Sequence, residues 1–344
     1  MATFSQTAAG TWKVRIRKQG YPTQTKTFDL KTDAEKWARA LEREMDTRAF
    51  LPRSQAEQTN FGQLAAWYER DILAEKKSAV KLRSDLRQLC ATFGPYALIT
   101  ITPAQVAAFR ETRLASGVST ATVRKQVALL GRVIKSAQID YGIHLPNSNP
   151  VTLVRLPRDS KPRERRVSAQ ELDAIIEATE SHELPAIIRL ATETSMRRGE
   201  IVSLRWAEID LGAQVARLPD TKNGTAREVP LSTRAVAALR SLPRRLSGRV
   251  FGFSSGDGVT RAFSRAVARA RARYEAECEA RKEKPDPRFL VDLRFHDIRH
   301  EATSRFFERG LEIMEAASVT GHKDLRMLRR YTHLKASELA KKLG

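Results

Sequence analysis

The sequence predicts a mainly α protein with small β elements: an N-terminal sheet-plus-helix module, a four-helix bundle and a mixed α+β C-terminal domain. Residues 11–30 alternate apolar and cationic side chains as strands do, residues 61–141 carry apolar residues at helical spacing, and a hairpin signal interrupts helical sequence after residue 206. Because 344 residues are enough to bury two sizeable cores, we expect two or three domains.

The chain is strongly basic along its whole length. Lys and Arg number 61 against 40 Asp and Glu, which gives a formal net charge of +21 at pH 7. An excess of this size indicates a polyanionic partner, and nucleic acid is the class that we expect. On composition alone, a merely basic soluble protein or a ribosomal-type protein stays open.

Cysteine usage and hydropathy indicate where the protein works. Cys90 and Cys278 lie far apart and show no Cys-x-x-Cys spacing, so neither a disulfide framework nor a zinc site is supported. Residues 1–17 lack the apolar core of a signal peptide, and no run of about 18 apolar residues occurs. We therefore expect a protein of a reducing cytosol, neither exported nor membrane-spanning.

The N-terminal module is predicted to occupy residues 1–55. One strand alternates apolar Trp12, Val14 and Ile16 with cationic Lys13, Arg15 and Arg17. A turn at residues 20–22 leads to a second strand at 25–30, and Thr32 or Asp33 is expected to cap a helix that runs to about Arg48. The cationic face is a candidate DNA-binding surface; the alternative is a merely solvated face.

Residues 60–155 are predicted to form a helical DNA-binding bundle. Its four helices are expected at residues 61–73, 80–93, 103–114 and 120–139. Thr102 before Pro103 is typical of an N-cap followed by a first-turn proline. Arg124, Lys125 and Arg132 lie one to two turns apart and are candidates to follow a phosphate backbone, although a solvated basic surface explains them equally well.

A basic linker is expected at residues 156–167, followed by a new domain at 168–344. Ser168 and Glu171 form a capping-box pattern that opens an amphipathic helix. Strands at 215–218 and 227–231 flank Thr221-Lys222-Asn223-Gly224, in which Asn-Gly is a strong hairpin signal. Helices follow, and the last is expected at 335–343.

The C-terminal domain carries side chains suited to cutting a phosphodiester bond. Without metal or nucleotide, such a reaction needs a nucleophile, positive charge at the non-bridging oxygens and an acid for the leaving oxygen. Arg197 and Arg299 can form bidentate bonds to a phosphate, and His296 lies three residues before Arg299 on the same helix face. His322 follows Gly321 at the expected start of a helix, where an imidazole can approach a phosphate closely.

A nucleophile and an acid complete this set. Tyr331 is the candidate nucleophile, and Lys222, beside the hairpin tip, is the candidate acid for the leaving oxygen. Each signal is weak alone, because a lone tyrosine in a helix usually belongs to a core. The order of the whole set is what gives it specificity.

This ordered set resembles the tyrosine recombinases, the phage integrase family, over about residues 60–344. The motifs are Thr194-Ser195-Met196-Arg197-Arg198-Gly199-Glu200, Lys222-Asn223-Gly224, His296-Asp297-Ile298-Arg299-His300, Gly321-His322 and Tyr331-Thr332-His333. The resemblance implies a tyrosine-recombinase catalytic domain at 168–344, a core-binding domain at 60–155 and, more weakly, an arm-type or accessory DNA-binding module at 1–55.

The resemblance also implies a reaction. Tyr331 would attack a scissile phosphate and leave a 3′-phosphotyrosyl link with a free 5′-hydroxyl. The catalytic set would be Arg197, Lys222, His296, Arg299, His322 and Tyr331, with His296 moving the phenol proton and Lys222 protonating the leaving oxygen. Glu200, Asp297 and His300 would be supporting residues. No metal, ATP or other cofactor is expected.

The implied partners are double-stranded DNA recombination sites and further copies of the chain. Four protomers would assemble on DNA and exchange their C-terminal helices. The implied location is the prokaryotic cytosol, in association with the nucleoid. Accessory DNA-bending or directionality proteins are candidate partners as well.

Four positions depart from the family pattern. Ser195 replaces a glycine that is usual before the first arginine, Glu301 stands where a small or hydroxyl residue is common, and Met327-Leu328 occupy places that often hold threonine. None of these departures removes a catalytic side chain.

Several other functions stay open or are poorly supported. A zinc-protease helix lacks its second histidine after Glu301, and the sequence has no Gly-x-x-x-x-Gly-Lys loop and no paired-carboxylate cluster. A non-catalytic architectural protein of the same fold and a type IB topoisomerase remain alternatives. Residues 193–231 and the ending Tyr331-Thr332-His333-Leu334 are also similar to shufflon-type DNA invertases, so inversion stands beside integration.

Overall fold

The computed structural model describes residues 2–47, 54–76, 79–146, 148–159, 163, 165–219 and 226–331. The chain divides into two compact units, Met1–Pro162 and Arg163–Gly344, and this division falls within the segment predicted to be a linker. No helix in the described ranges is long and apolar enough to cross a membrane.

The first unit begins with a three-stranded antiparallel sheet and one helix. The elements are β1 (Ala2–Gln6), β2 (Trp12–Ile16), β3 (Gln24–Phe28) and α1 (Lys31–Asp46), with β2 in the middle of the sheet. Val14 and Ile16 of β2 pack against α1 in a small core. The sequence did not predict β1, and the cap predicted at Thr32 or Asp33 was wrong, because α1 begins at Lys31 with Leu30 in the capping position.

The rest of the first unit is helical. Its helices are α2 (Ser54–Gln58), α3 (Phe61–Tyr68), α4 (Ala79–Phe93), α5 (Pro103–Ala115) and α6 (Thr120–Ile139). A short π-helical stretch, Glu69–Leu73, continues α3. The predicted cap is confirmed, because the Thr102 hydroxyl accepts a hydrogen bond from the backbone N–H of Gln105. The four predicted helices thus form a bundle around one apolar core.

The second unit combines helices with a small antiparallel sheet. Its elements are α7 (Ala169–Ala178), α8 (Leu184–Thr194), α9 (Arg198–Ser203), β4 (Ile209–Asp210), β5 (Val215–Leu218), β6 (Arg227–Pro230), α10 (Thr233–Arg240), α11 (Gly256–Ala280), α12 (Phe295–Glu308) and α13 (Ile313–Thr320). The capping box at Ser168 and the hairpin are both confirmed, with Leu218 opposite Arg227. The predicted helix at 335–343 lies outside the described residues.

Candidate active site

Helix α12 carries three of the singled-out side chains on successive turns. Its first turn is capped by Asp297, whose carboxylate accepts a hydrogen bond from the backbone N–H of Arg294 at 2.8 Å. His296 is exposed in this turn, whereas Arg299 is buried and His300 is half-buried one turn later. The i, i+3 and i, i+4 spacing places all three along one side of the helix.

Backbone carbonyls, not a carboxylate, hold the guanidinium of Arg299. It donates to the carbonyl of Ser195 and, at 2.8 Å, to the carbonyl of Thr320. Among the described residues no Asp or Glu forms an ion pair with Arg299, although only 5% of this residue is exposed. Burial and the charge of Arg197 lower the pKa of Arg299 to about 10. A buried cation in this state is a strong anion-binding element.

Arg197 and Arg227 share one buried carboxylate. Glu200 accepts hydrogen bonds from the backbone N–H and the guanidinium of Arg197, each at 2.8 Å, and two more from Arg227 at 3.0 and 2.8 Å. Burial acts to raise the pKa of Glu200, but the bonds from Arg227 and Arg197 outweigh burial and lower the pKa to about 2. Arg197 also donates to the carbonyl of Gly321 at 3.0 Å, beside the turn that carries His322.

Arg227 is a site residue that the sequence reasoning missed. It is the first residue of β6, which follows the hairpin tip, and its Nε donates to the carbonyl of Val319 at 3.2 Å. A Cβ atom at Gly321 would lie 2.8 Å from the guanidinium and would displace it, and the left-handed φ of 69° also favours glycine there. Strand alternation could have found Arg227, because it shares the inner face of β6 with buried Val229, and an inward cation needs a buried anion.

His322 lies in the turn after α13, so the expectation that it begins a helix was wrong. Gly321 ends α13 in the left-handed conformation, with φ of 69°. The Thr320 hydroxyl donates its single hydrogen to the carbonyl of Ala316 at 2.6 Å, and it therefore accepts from Nδ1–H of His322 at 2.6 Å. The Nε2 lone pair of His322 then faces Arg299 at 3.4 Å.

The Tyr331 phenol meets His300. Its hydroxyl is hydrogen-bonded to Nδ1 of His300, and its ring lies nearly parallel to Phe307, at 8° with centroids 6.5 Å apart. The Arg330 guanidinium lies 5.3 Å from the centre of the Tyr331 ring. His296, the sequence-based candidate for moving the phenol proton, packs edge-on against His300 with ring centroids 4.8 Å apart.

Burial and nearby cations keep the imidazoles neutral. Burial, then the neighbouring His296 and Arg330, lowers the pKa of His300 to about 4. Burial, then the charges of Arg299 and Arg197, lowers the pKa of His322 to about 4. Burial raises the pKa of the Tyr331 phenol. At neutral pH the site therefore combines uncharged imidazoles and an un-ionised phenol with cationic guanidiniums.

Two further predictions concern the hairpin lysine and the absence of a metal. Lys222 belongs to residues 220–225, which lie outside the described residues. Within the described ranges, no group of three or more His, Cys, Asp or Glu side chains is placed to hold a metal ion.

The candidate DNA-binding side chains of the first unit lie on two surfaces. Lys13, Arg15 and Arg17 line a shallow depression on the exposed face of the N-terminal sheet. On α6, Lys125 and Arg132 are exposed, whereas Arg124 forms an ion pair with Asp159 at 2.8 Å and is partly buried.

Three linker arginines bind buried carboxylates of the second unit. The pairs are Arg163 with Asp297 at 3.0 Å, Arg165 with Glu171, and Arg166 with Glu301 at 2.8 Å. Asp297, Glu171 and Glu301 are each less than 5% exposed. We call residues 163, 165 and 166 the arginine strap. The backbone carbonyl of Arg163 also accepts a hydrogen bond from Arg330, the neighbour of Tyr331.

Sequence comparison identifies relatives over most of the chain. Residues 165–338 match the phage integrase family. The chain is 40% identical over 253 residues to a shufflon-specific DNA recombinase of Escherichia coli, an overlap of 71% of this chain but only 60% of that protein. A putative integrase/recombinase of Haemophilus influenzae is 27% identical over 332 residues, or 92% of this chain and 83% of that protein.

Structural comparison extends the likeness to the whole fold. A lambda integrase tetramer bound to a Holliday junction matches with a TM-score of 0.61 and 19% identity, over 98% of both chains. The Tn1549 transposon integrase in complex with a circular intermediate DNA matches with a TM-score of 0.64 and 16% identity, over 83% of this chain and 99% of that one. Fold and sequence together assign the chain to the phage integrase family of tyrosine recombinases.

Proposed function

We propose that the protein is a site-specific DNA recombinase that cuts and rejoins DNA through a 3′-phosphotyrosyl intermediate. The observation that carries the proposal is the convergence of Arg197, Arg299 and His322 around one turn. The Tyr331 phenol is hydrogen-bonded to His300, which lies on the same helix as Arg299. Tyr331 forms the bond to phosphorus, and the bond to the 5′ oxygen breaks. The adduct keeps the energy of the broken bond, so religation needs no ATP.

The phosphate-binding role falls to Arg197, Arg299 and His322. Arg299 brings a buried charge that backbone carbonyls position but do not neutralise. A phosphodiester in this place would offset the cations that lower the pKa of His322, and the imidazole could then take a second proton and donate from Nε2. Charge that develops on the non-bridging oxygens is thereby stabilised.

Lys222 is the proposed acid for the leaving 5′ oxygen. Support comes from the hairpin that bears it, because β6 is fastened to the site by the Arg227–Glu200 pair. His296 is exposed at the start of α12 and packs against His300, which places it beside the Tyr331 phenol that would attack the scissile phosphate.

DNA contacts and assembly extend the proposal beyond the chemical centre. Lys13, Arg15 and Arg17 would bind an arm-type site, and Lys125 and Arg132 would contact backbone phosphates of the core site. Four protomers would join two sites by exchanging the C-terminal segment 335–343, with accessory proteins setting direction. We propose this action in the prokaryotic cytosol, on nucleoid or plasmid DNA.

DNA inversion is the second candidate outcome beside integration. It is favoured by the 40% identity to a shufflon-specific recombinase. Plasmids with two sites in inverted or in direct orientation separate the subtypes, since an inverter restricted to inverted sites yields no excised circle.

The central test uses Tyr331→Phe on a nicked suicide duplex that carries a binding sequence selected from a random pool. The wild-type protein should form a covalent adduct in the presence of a chelator, and Tyr331→Phe should bind the duplex equally but form none, because only the hydroxyl is lost. An adduct in the variant would refute the assignment. Relaxation of supercoiled plasmid by a monomer, without strand exchange, would instead indicate a topoisomerase, and binding without any adduct an architectural protein.

A further inference from the structure

His300, which lies outside the expected catalytic set, is hydrogen-bonded to the hydroxyl of Tyr331. We infer that His300, through Nδ1, accepts the phenol proton as Tyr331 attacks the phosphate. The inference rests on the proposed function and deepens it, because sequence reasoning gave this step to His296 and left His300 a supporting role.

The geometry around the phenol aims its hydroxyl at His300. Phe307 lies parallel to the Tyr331 ring at 6.5 Å, and the Arg330 guanidinium sits 5.3 Å from the ring centre, so the ring plane is set by neighbours. His300 is fixed in turn by α12 and by the edge contact with His296 at 4.8 Å. Nδ1 of His300 and the phenol oxygen meet in a hydrogen bond. His296 contacts His300, and its position is suited to support the ring of that residue.

The proton transfers of this step balance within the proposed reaction. In the tautomer that keeps its hydrogen on Nε2, the Nδ1 lone pair of His300 accepts from the phenol O–H. As the phenol oxygen bonds to phosphorus, its proton passes to Nδ1 and His300 becomes an imidazolium. The bond from phosphorus to the 5′ oxygen breaks, and that oxygen takes a proton from Lys222. Religation reverses each transfer, so no external acid or base is consumed.

The charged and titratable groups that face His300 come from three places. They are His296, Asp297 and Arg299 on α12, Arg330 and Tyr331 in the segment after α13, and His322 in the turn between. Burial, then His296 and Arg330, keeps the pKa of His300 low against the opposing charge of Asp297, so the imidazole is unprotonated at neutral pH. A bound phosphodiester adds negative charge beside Arg299, which raises the basicity of the imidazole when the proton must be taken.

A bond that only positions the phenol is the competing explanation, and His300→Asn separates the two. The Asn oxygen can occupy the place of Nδ1 and accept the phenol hydrogen bond, but an amide does not take up a proton. Proton acceptance predicts that His300→Asn slows adduct formation on the nicked duplex by about 10² to 10⁴-fold. Positioning predicts a rate within a few-fold of wild type.

The pH dependence of the rate of adduct formation distinguishes proton acceptance by His300 from a purely structural role. With His300 present, adduct formation should vary little between pH 7 and 9, since the base is already free. Without it, the phenol must ionise in solution, and the rate of His300→Asn and His300→Ala should rise about tenfold per pH unit. Added imidazole should accelerate His300→Ala, which leaves room for the missing ring, and should not accelerate wild type.

Phe307→Leu is the matched control for disturbed packing, since it removes the parallel ring without touching a proton. It should slow the reaction and keep the flat pH profile. A flat profile and near-normal rate for His300→Asn, with the wild-type protein still forming adduct, would overturn the inference alone. Absence of adduct in wild type would instead remove the proposed function. DNA binding and melting temperature of each variant establish that it is folded.

Discussion

Ser195 holds a backbone conformation that usually belongs to glycine. Its φ is 52°, in the left-handed region, and it ends α8 so that its carbonyl faces Arg299. The hydroxyl bonds to Thr303 Oγ1 at 2.8 Å and to the carbonyl of Arg299 at 3.3 Å. Ser195 therefore carries backbone strain that glycine would not carry, and its hydroxyl adds local hydrogen bonds that glycine could not form.

This exchange predicts an order of stability among variants. Ser195→Ala loses the hydroxyl bonds and keeps the left-handed strain, whereas Ser195→Gly loses the bonds but also relieves the strain. Ser195→Gly should therefore be more stable than Ser195→Ala by about 1–2 kcal/mol, measured by urea unfolding at pH 7.

Gly117→Ala provides the control for strain alone. Gly117 has φ of 79°, and a Cβ atom there would meet no heavy atom within 4 Å. The loss of unfolding free energy in Gly117→Ala should be close to the difference in unfolding free energy between Ser195→Gly and Ser195→Ala. Equal stability of Ser195→Gly and Ser195→Ala would mean that the left-handed backbone costs nothing at this position.

At the scale of elements, the Arg227–Glu200 pair ties strand β6 to helix α9. The side chains of Arg227 and Glu200 are 11% and 5% exposed, so this pair is buried. Because the folded-state pKa of Glu200 is about 2, below the ordinary value of 4.5, ionised Glu200 stabilises the fold above pH 4.5. This contribution, about 3 kcal/mol in order of magnitude, is lost as the pH falls from 4.5 to 2.

Arg227→Leu should consequently destabilise the protein by about 3 kcal/mol at pH 7, since it leaves a buried carboxylate with Arg197 alone. The deficit relative to wild type should shrink as the pH falls from 4.5 towards 2, because Glu200 is protonated first in the unfolded chain and only near pH 2 in the folded wild-type protein. Thermal melts at pH 7, 5 and 3 measure this change. Arg217→Leu is the control on the same hairpin, because the Arg217–Glu228 pair is 71% and 66% exposed. A pH-independent deficit for Arg227→Leu would contradict the linkage to Glu200.

Helices whose ends are marked by capping residues in the sequence were predicted well. Helix α6 has the predicted bounds, 120–139, and the caps at Thr102 and Ser168 hold because Ser or Thr followed by Gln or Glu satisfies the first backbone N–H groups. Strand β1 was missed because Ala2–Gln6 alternates weakly and gains its place only by pairing with β2. The start of α1 was misplaced because Leu30 caps it without a side-chain bond.

At the scale of the whole molecule, the site was predictable as a set of residue types but not as a set of contacts. The reaction type was predicted from the order of four residues along the sequence: Arg197, Arg299, His322 and Tyr331. Which histidine meets the phenol depends on how the turn after Gly321 folds back onto α12, and no local pattern specifies that return. The partners of Glu200 are likewise set by long-range packing of β6.

The N-terminal module is proposed to bind a DNA site separate from the core site. If the proposed arm-type contacts are made, deletion of residues 1–53 should remove a footprint remote from the crossover, because Lys13 and Arg15 are lost with the module. The deletion stops before Ala56, which is part of the bundle core. The salt dependence of binding should weaken by about 0.9 in log–log slope for each lost phosphate contact.

The double variant Lys13→Ala, Arg15→Ala is the matched control for this deletion. It removes charge from the exposed face and leaves the buried Val14 and Ile16 in place. It should reproduce most of the change in slope without loss of thermal stability. An unchanged footprint and recombination rate after the deletion would refute the arm-binding role and favour a reaction confined to the core site.

The arginine strap restricts how hybrid enzymes could be assembled from this chain. A designer who grafts a foreign targeting domain onto the second unit would naturally cut at the helix start, Ser168. That junction would discard Arg163, Arg165 and Arg166 and leave Asp297, Glu171 and Glu301 buried without them. Breaking a fully buried ion pair costs about 3–5 kcal/mol; each of these pairs costs less, because the arginine side chains are 28%, 25% and 50% exposed and Glu301 keeps Arg305 as a partner. Domains are commonly stable by only about 5–15 kcal/mol, so the loss of all three pairs together is substantial. A second unit that is to be transferred to another protein should therefore start upstream of Arg163. The position of the fusion junction then matters as much as the choice of the targeting domain.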